Sequence, residues 1–307
     1  IITLTLCPAF DVHCAADIEL HHENLAKISR TDAGGKGINI SRALAAGNID
    51  NHAVIALGSE NGGAFLKELE NEKFDIIPVF VSGKIRENIT LHEQSGSETR
   101  ICFEGFEADI SLLDTVLEKI KSIAKGEFFL TLTGRLPKGI SVRDALVFIE
   151  KIKSAGAKIV IDSKSFELSD IIAAKPYLIK PNAEEASEYA KKEISDISDA
   201  SDFAENLRGQ GAGNVMITLG EKGAVLACDS GIYASVPPKI NVLSTVGAGD
   251  SAIAGFLASK AAGKSDAEAL QNAVAYGTAV CMTVGTSAPD KAKIDAIFGK
   301  TSVAKIK

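Results

Sequence analysis

Residues 244–251, with the sequence STVGAGDS, place a carboxylate directly beside two glycines. Glycine has no side chain, so the chain turns sharply there and its backbone N–H groups can approach a ligand. The residues from Asp250 to Gly263 have the apolar spacing of a helix. The first amides of a helix lack partners and carry partial positive charge. The stretch therefore predicts an anion site at a helix N-terminus, with Asp250 beside it.

The residue Asp250 has two interpretations at this point. In the first, it is a general base that takes a proton from a hydroxyl attacking a phosphoryl group, which explains a carboxylate inside an anion site. In the second, it is an ordinary aspartate near the start of a helix, where the helix dipole favours a negative charge. The stretch alone leaves both interpretations open.

Two other phosphate-binding motifs fit the surrounding residues less well. Gly247, Gly249 and Ala252 match the G-x-G-x-x-[GA] pattern of dinucleotide-binding turns. That turn requires a second strand with an acidic residue about 20 residues further on, whereas residues 264–282 are predicted to be helical. The AGKS at 262–265 resembles part of a Walker loop, but it follows a helix and lacks the upstream glycine. An NAD-dependent oxidoreductase therefore rests on a single coincidence.

The elements that must position this turn alternate between strands and helices. Apolar runs such as residues 1–6 and 53–58 predict buried strands, and residues 111–126 and 141–156 have helical spacing. Repeated strand-then-helix order is typical of a parallel sheet with helices on both faces. Just before the glycine turn, residues 239–246 are predicted to be extended. The sequence thus predicts an α/β fold.

Two segments interrupt this alternation. Residues 10–31 contain short, polar extended pieces, and residues 79–105 are predicted to form a hairpin around SGSE at 95–98. Alternation in NITLHE and TRICFE suits strands with one exposed face. We expect a small β excursion that covers a site as a lid or pairs with another subunit, and a plain edge hairpin is the alternative. Residues 1–307 are expected to form a single α/β domain with these segments inserted in it.

The composition argues against several classes of function. A net charge of −7 without a basic cluster argues against nucleic acid and against an anionic membrane as partners. The five cysteines are scattered with no CxxC pair, which is typical of a reducing compartment. No apolar run reaches membrane-spanning length, and the first residues lack the features of a signal peptide. We therefore expect a cytoplasmic protein.

Two longer motifs and five shorter ones carry a resemblance to a known family. GGKGINISR at 34–42 and TVGAGDS at 245–251 together resemble the two signatures of ribokinase-like sugar kinases. The shorter motifs follow the order found in the phosphofructokinase B subgroup, which includes 1-phosphofructokinases and tagatose-6-phosphate kinases. They are TLCPAFD, IREN, TGRLPKG, IKPNAEE and ITLGEKGA. The resemblance covers essentially the whole chain.

The resemblance implies a ribokinase-like three-layer α/β/α fold, with a mainly parallel central sheet and a small β-sheet lid. It also implies ATP and Mg²⁺ as cofactors and a homodimer formed through the lid. Asp250 corresponds to the catalytic base of the family. The amides of Gly247, Ala248 and Gly249 correspond to the groups that stabilise charge on the transferring phosphoryl.

The resemblance also assigns residues to the two ends of the site. The expected contacts with the sugar or its phosphate are Asp11, Gly35, Lys36, Asn39, Arg86, Asn88 and Arg100, and Arg135 is a further candidate that the family pattern itself does not supply. The expected nucleotide contacts are Lys180, Asn182, Thr218, Gly220, Gly223 and Asn272, with Glu185 near Mg²⁺ through water. Several have plain structural alternatives. Asn182 with Glu185 also fits a reciprocal helix cap, Thr218 with Gly220 fits a hairpin turn, and Asn272 fits an exposed helical residue.

Four residues depart from the usual pattern of the subgroup, all on the sugar side. Cys7 and Cys102 stand where Asn is usual or frequent, Arg135 stands where Ser is usual, and Ile85 replaces Thr. Arg135 either adds a phosphate contact or braces its loop. None of the four removes the base or the anion site, so phosphoryl transfer is expected and the identity of the sugar is the open point.

We expect ATP-dependent phosphorylation of a hexose phosphate to a hexose bisphosphate. Fructose 1-phosphate is the first candidate substrate, followed by tagatose 6-phosphate and fructose 6-phosphate. Arg100 resembles an arginine of the fructose-6-phosphate enzymes, which keeps the last candidate open. An NAD-dependent oxidoreductase and a non-enzymatic sugar-sensing module are the alternatives from other classes. The sensing module would tolerate loss of Asp250, whereas a kinase would not.

Overall fold

The computed structural model describes residues 1–15, 17–93, 98–283 and 288–307. The strands, in chain order, are β1 (Ile2–Thr5), β2 (Ala9–Ala15), β3 (Lys27–Gly34), β4 (His52–Gly58), β5 (Asp75–Val81), β6 (Arg86–His92), β7 (Glu98–Cys102), β8 (Phe128–Thr133), β9 (Ala157–Asp162), β10 (Leu178–Ile179), β11 (Asn214–Thr218), β12 (Ala224–Cys228), β13 (Gly231–Val236) and β14 (Ser302–Lys305). The helices are α1 (Lys36–Ala46), α2 (Gly62–Glu68), α3 (Ile110–Ile123), α4 (Val142–Ser154), α5 (Leu168–Ala173), α6 (Ala183–Ala190), α7 (Ile197–Gly209), α8 (Ala248–Ala261), α9 (Asp266–Val280) and α10 (Lys291–Phe298).

A large sheet forms the centre of the molecule, with the strand order β14-β13-β12-β11-β10-β9-β8-β1-β4-β5. Neighbouring strands from β5 to β11 run parallel, and β12, β13 and β14 add an antiparallel edge. The parallel strands are apolar along their length; in β4, residues 53–58 are all buried. Continuous apolar strands of this kind require cover on both faces.

Helices supply that cover and complete three layers. On one face, α1, α8, α9 and α10 pack side chains such as Leu44 and Phe256 against the sheet. On the other face, α2, α3 and α4 contribute Phe65, Val116 and Phe148. The predicted three-layer α/β/α fold with a mainly parallel central sheet is confirmed. In the part of the chain that the structure describes, no helix combines the length and apolarity needed to cross a membrane.

The helix α8, which follows the glycine turn, is surrounded by protein. Every residue from Asp250 to Ser259 is buried. Its small residues let neighbouring helices approach closely; a Cβ on Gly255 would lie 2.5 Å from the backbone oxygen of Asn272 on α9. This packing fixes the start of α8, and therefore the glycine turn, relative to the sheet.

A second, small sheet has the strand order β3-β2-β6-β7. The strand β2 runs antiparallel to β3 and parallel to β6, and β7 runs antiparallel to β6. Side chains on a strand alternate between faces. Phe10, Val12 and Cys14 of β2 therefore face the core, and Asp11 and His13 share the opposite face. The expected small β-sheet is present, and its role as a lid stays a prediction.

Three predicted boundaries differ in the structure. Residues 79–81 complete β5 in the large sheet, so the second part of the small sheet begins at Arg86 rather than at residue 79. Residues 239–246, predicted to be extended, contain no strand. The position beside β13, where this segment would follow on in the chain, is occupied by β14. Of the hairpin turn predicted at 95–98, residues 95–97 lie outside the described residues.

Candidate active site

The two long motifs, 211 residues apart in the chain, meet at one hydrogen bond. Asn39 donates from Nδ2 to Oδ2 of Asp250 at 2.9 Å. Both residues lie in the first turn of their helices, α1 and α8. The N-termini of these helices therefore converge on the Asp250 carboxylate. Because each N-terminus carries partial positive charge, the site favours an anion.

Glycines in both motifs are required by local geometry. Gly247 caps α8 with a φ of 76°, a left-handed conformation that L-residues with side chains rarely adopt. In the upstream motif Gly35 also has a positive φ, 156°, and space is restricted as well. A Cβ on Gly35 would lie 2.7 Å from Thr5 Cγ2, and one on Gly37 would lie 2.5 Å from Thr5 Oγ1. The start of α1 therefore packs directly against the carboxyl end of β1.

The Asp250 carboxylate is buried, with 6% of the residue exposed. Its pKa is raised to about 6, mainly by burial and also by the negative charge of Asp162, while Lys36, Asn39 and Lys180 act in the opposite direction. A carboxylate with a pKa of about 6 is mostly ionised at pH 7 and accepts protons more readily than an ordinary aspartate. These are the properties of a general base.

Asp162, at the carboxyl end of β9, is the site residue that the sequence analysis missed. Its Oδ2 lies 3.0 Å from Nζ of Lys36 and 3.7 Å from Nζ of Lys180. Burial acts to raise its pKa, but the two lysines outweigh burial and hold the pKa below the usual range. A signal was available: the apolar run AKIVI ends in this carboxylate, and ligands of α/β sheets bind at the carboxyl ends of strands.

Two buried or half-buried lysines border the glycine turn. Lys36, expected at the sugar or its phosphate, is ion-paired with Asp162. Lys180, expected on the nucleotide side, is 5% exposed and lies behind the turn, because a Cβ on Gly249 would be 3.0 Å from its Nζ. Both ammonium groups therefore lie beside the predicted phosphoryl position.

The expected sugar contacts Asp11, Asn88 and Arg100 form a second cluster. Asn88 Nδ2 and Arg100 Nη2 both donate to Oδ1 of Asp11, at 2.8 and 2.9 Å. A Cβ on Gly34 would overlap the Asp11 carboxylate. Because Gly34 begins the GGKG motif, this cluster adjoins the turn that leads into Lys36 and α1.

Cys7 follows β1, Arg135 follows β8, and Arg86 begins β6. Burial raises the pKa of the Cys7 thiol, and the charges of both arginines lower it. Nη1 of Arg86 donates over 3.4 Å to the Phe103 carbonyl oxygen, and its buried Nε has no partner among the described residues. Arg135 is exposed. Positive charge is thus available at this end of the site.

Asn182 and Glu185 form the reciprocal cap of α6 that the sequence allows. Glu185 N donates to Oδ1 of Asn182 at 2.8 Å, and Asn182 N donates to Oε2 of Glu185 at 3.1 Å. Oε1 of Glu185 lies 3.9 Å from Nζ of Lys164. Asn182 also forms an isolated β-bridge with Thr218, which brings two of the expected nucleotide contacts together.

The remaining expected nucleotide contacts lie in two different parts of the structure. Gly220 and Gly223 form the turn between β11 and β12, so the hairpin alternative is correct for the backbone there. Asn272 lies on α9, and its Nδ2 donates to the Gly255 carbonyl oxygen at 2.9 Å and to Ser259 Oγ at 3.0 Å. Its amide group therefore ties α9 to α8.

The carboxylates near the reaction centre suit Mg²⁺, which takes some of its ligands from water and substrate. They are too few for a metal ion whose ligands all come from the protein. Within residues 1–15, 17–93, 98–283 and 288–307, no three His, Cys, Asp or Glu side chains are placed to hold a metal ion. Asp162 and Glu185 line one small pocket together with Lys180. Mg²⁺ needs only one or two carboxylates, because waters and substrate phosphates supply its other ligands. The donor set fits that mode of binding.

Comparison with known proteins identifies the family. Residues 13–293 match the model of the pfkB family carbohydrate kinases. This chain belongs to that family. The 1-phosphofructokinase of Escherichia coli (strain K12) is 30% identical over 310 residues, which cover 99% of this chain and 97% of the relative. The 1-phosphofructokinase of Vibrio cholerae is 28% identical over 310 residues, which cover 100% of this chain and 97% of the relative.

Solved structures agree with this assignment. Phosphofructokinase-2 from Escherichia coli, in complex with substrates and products, has a TM-score of 0.90 at 26% identity, with 98% of each chain covered. Its tetrameric inhibited form has a TM-score of 0.88 at 25% identity, covering 97% of this chain and 98% of that one. The ribokinase-like fold and the predicted kinase activity with ATP are confirmed. The oxidoreductase alternative is set aside, and α9 stands where its turn would need a strand.

Proposed function

We propose that the protein transfers the γ-phosphoryl group of ATP to a hexose phosphate, with fructose 1-phosphate as the first candidate and fructose 1,6-bisphosphate as its product. The observation that carries the proposal is the buried Asp250, held by Asn39 where two helix N-termini converge. The relatives named 1-phosphofructokinase support the choice of sugar. Tagatose 6-phosphate and fructose 6-phosphate are the next candidates.

The proposed reaction transfers one proton and one phosphoryl group. Asp250 accepts the proton of the sugar hydroxyl as that hydroxyl attacks the γ-phosphoryl group, a role that contributes about 10²–10⁴-fold to the rate. The amides of Gly247, Ala248 and Gly249 begin α8 and donate to the oxygens on which charge develops. Because the packing of α8 fixes these amides beforehand, their dipoles need little reorganisation during the reaction.

Lys36 and Lys180 are proposed to neutralise phosphate charge at the same point. Asp162 pairs with both lysines and is proposed to hold their ammonium groups in place, so that they lie beside the transferring group rather than in solvent. This arrangement revises the role expected for Lys36, from a sugar-phosphate contact to a contact near the reaction centre. Its support is the 3.0 Å distance between Lys36 Nζ and Asp162 Oδ2.

The nucleotide and its metal ion are proposed to bind on the side of β11 and α6. The expected contacts Asn182, Thr218, Gly220 and Gly223 all lie there, whereas Asn272 is better explained as a tie between helices. Glu185 would hold Mg²⁺ through water, with Asp162 as a further carboxylate. When bound, Mg²⁺ neutralises charge on the β- and γ-phosphates.

The sugar hydroxyls are proposed to meet the cluster around Asp11 and the turn at Gly35. The buried oxygens Oδ1 of Asn39 and Oδ1 of Asn88 have no partner among the described residues. Buried polar atoms are normally hydrogen-bonded, so these two oxygens are suited to accept hydrogen bonds from a bound sugar. Asn39 would then link the sugar to Asp250 directly.

The phosphate already present on the sugar is proposed to meet the arginines Arg86, Arg100 and Arg135. Guanidinium groups form strong, charge-assisted hydrogen bonds with phosphate oxygens. Support comes from the effect of Arg86 and Arg135 on the Cys7 thiol, which places positive charge at this end of the site.

A coupled assay of ADP release tests the choice of substrate. The panel holds fructose 1-phosphate, tagatose 6-phosphate, fructose 6-phosphate and the free hexoses. We expect the highest kcat/KM for fructose 1-phosphate and little turnover of free hexoses. If only an unphosphorylated sugar or a nucleoside responds, the roles of the arginines are wrong. Calorimetry with a non-hydrolysable ATP analogue separates a failure to bind nucleotide from a missing sugar.

The small sheet is proposed to form the lid and the contact of a homodimer. Apolar side chains lie exposed on it or beside it, including Leu25, Ile28, Ile101 and Phe103, and exposed apolar patches of this kind mark interaction sites. Phosphofructokinase-2 has a tetrameric form. Sedimentation velocity at micromolar concentration tests the proposal, with a dimer expected for the wild type and a monomer for an Ile28→Asp, Ile101→Asp variant. A monomeric wild type would contradict it.

A cytoplasmic location is also retained as a proposal. Its support is that all five cysteines, Cys7, Cys14, Cys102, Cys228 and Cys281, are free thiols. Free thiols persist in reducing compartments. Fractionation of cells that express the protein tests this, because a cytoplasmic protein is released only when the inner membrane is broken.

A further inference from the structure

A row of four side chains crosses the four strands of the small sheet, on the face that also carries Asp11. Nη2 of Arg30 on β3 lies 3.3 Å from Nε2 of His13 on β2. Nδ1 of His13 lies 3.0 Å from Nε2 of His92 on β6. Nδ1 of His92 lies 3.0 Å from Oε1 of Glu98 on β7. None of the four takes part in the phosphoryl transfer proposed above.

The contacts determine where the protons lie on both imidazoles. A guanidinium group only donates, so Nε2 of His13 accepts from Arg30 and its Nδ1 carries the hydrogen. That N–H donates to Nε2 of His92, whose Nδ1–H then donates to Glu98. All donors point from the guanidinium to the carboxylate, so each bond polarises the next. We call Arg30, His13, His92 and Glu98 the relay.

The relay is intact with both rings neutral. Protonation of Nε2 of His13 would end its contact with Arg30, and protonation of both rings would also end the contact between the two histidines. A first proton can enter at Nε2 of His13, because Oδ2 of Asp32 lies 3.6 Å away. A second proton on Nε2 of His92 would place two N–H groups face to face, 3.0 Å apart. Both facing nitrogens would then be donors, and two positive charges would be adjacent.

The surroundings of the pair favour the neutral state of His13. Burial lowers the pKa of His13, and the charges of Arg30 and His92 lower it as well, whereas Asp32 and Asp11 oppose them. Glu98, on the outer strand, faces His92. Because Nδ1 of His13 lies 3.0 Å from Nε2 of His92, a proton added to this pair changes the contact between the two rings.

The relay lies next to the expected sugar contacts. Asp11 precedes His13 by two positions on β2 and so shares its face. In the sheet register, Asp11 pairs with Asn88 on one side and with Asp32 on the other. Nε of Arg30 lies 2.8 Å from Oδ2 of Asp32. The relay therefore holds Asp32, the carboxylate opposite Asp11, as well as the junction of β2 with β6.

We propose that His13 and His92 are positioning residues for the sugar substrate: their neutral pair holds β2 and β6 in the arrangement that presents Asp11 and Asn88, and double protonation releases it. The role of Asp11 in this inference rests on the proposed function. Because Asp250 and the nucleotide contacts lie on the large sheet and its helices, the relay should affect sugar affinity and leave kcat and the KM for ATP nearly unchanged.

The variant His92→Gln separates protonation from structure. Glutamine keeps an acceptor near the position of Nε2 but does not titrate. We expect sugar-phosphate affinity, measured by calorimetry, to match the wild type within twofold at pH 8. At pH 5.5 the wild type should bind at least threefold more weakly than His92→Gln. His92→Phe should weaken binding about threefold to tenfold at both pH values, as expected for the loss of one hydrogen bond.

The control is His52→Asn on the large sheet. His52 also contacts a carboxylate, with Nδ1 3.0 Å from Oδ2 of Asp75, but it begins β4 in the large sheet and is not part of the small sheet that carries the relay. We expect the affinity of His52→Asn for the sugar phosphate to match that of the wild type at both pH values. Identical pH dependence in the wild type and His92→Gln would overturn the proposal. A fall in molecular mass at pH 5.5 that accompanies the weaker binding would also overturn it, since the subunit contact would then be the element that titrates.

Nitrogen NMR of the imidazoles tests the relay without any substrate. At pH 8 we expect both His13 and His92 as Nδ1–H tautomers, with resonances assigned through His13→Asn and His92→Gln. The Nε2–H tautomer on either ring would overturn the relay. Failure of every sugar phosphate to bind the wild type would instead count against the proposed function, and the tautomers would still decide whether the relay exists.

Discussion

The side chains around Asp250 are buried, whereas the cluster around Asp11 extends to the surface of the protein. Asp250 is 6% exposed, and the side chain of Arg100, which contacts Asp11, is 52% exposed. The first region lies at the carboxyl edge of a sheet covered on both faces by helices. The second lies on a four-stranded sheet with only one face against the core. We therefore propose that the large sheet fixes the chemistry and that the small sheet is free to vary the choice of sugar.

The residues that depart from the usual family pattern follow the same division. Cys7, Cys102, Ile85 and Arg135 all belong to the sugar end. A substitution near Asp250 would disturb a buried network of charges, where an unpaired group is costly. A substitution on the small sheet or at a strand end exchanges contacts with solvent, which costs less. Exposure therefore accounts for the departures at Cys102 and Arg135, whereas the buried Ile85 has no such explanation.

The largest effect is expected at the buried end, for Asp250→Asn. The variant loses the general base, so kcat should fall by about 10²–10⁴-fold while the ATP analogue still binds. Since burial raises the pKa of Asp250 to about 6, the ionised group opposes folding above that pH. The variant should therefore melt at a higher temperature than the wild type at pH 8. Turnover above a tenth of the wild-type rate would contradict the role of base, and Asp114→Asn on the surface of α3 is the control.

At the exposed end, Arg100→Ala should change affinity rather than turnover. The substitution removes a charge-assisted hydrogen bond to Asp11 and one of the guanidinium groups proposed to meet phosphate. We expect the KM for the sugar phosphate to rise about tenfold, with kcat within twofold of the wild type. Steady-state kinetics with both substrates varied measures this, with Arg143→Ala as the control. A fall in kcat with unchanged KM would mean that the region around Asp11 contributes to the chemical step as well as to sugar binding.

The pH dependence of the buried end should follow Asp250. Because the base must be ionised, kcat/KM for ATP at saturating sugar should be constant above pH 7 and fall as the pH decreases through about 6. The charge of Asp162 contributes to this raised pKa, so Asp162→Asn should move the fall to lower pH as well as reduce the rate. An unchanged profile in Asp162→Asn would show that the two carboxylates do not interact.

The smallest effect on activity is expected for Asn272→Ala. Its amide bonds the Gly255 carbonyl oxygen and Ser259 Oγ, so the substitution should lower the free energy of unfolding by about 1–2 kcal/mol. The KM for ATP should stay within twofold of the wild type. Denaturant unfolding and ATP kinetics check the two statements. A KM for ATP raised fivefold or more would restore Asn272 as a nucleotide contact.

The sequence predicted most of the region around Asp250, because neighbouring residues determine the local backbone geometry. The glycines at 247 and 249, the carboxylate after them and the helix that follows lie within one short stretch, and each constrains the next. The alternation of strands and helices predicted the three layers for the same reason. The upstream motif could be matched to this stretch only by resemblance, since nothing local says that Asn39 meets Asp250.

The tertiary structure decided which distant charges pair and where strands find partners. Asp162 joined the candidate site because β9 ends beside Lys36 and Lys180, and this pairing is the basis for proposing Lys36 near the reaction centre. Residues 239–246 formed no strand because β14, from the end of the chain, occupies that edge. These outcomes depend on burial and on proximity between elements far apart in sequence. The residue pattern within one segment indicates neither burial nor proximity to distant elements, so only the folded chain determines these outcomes.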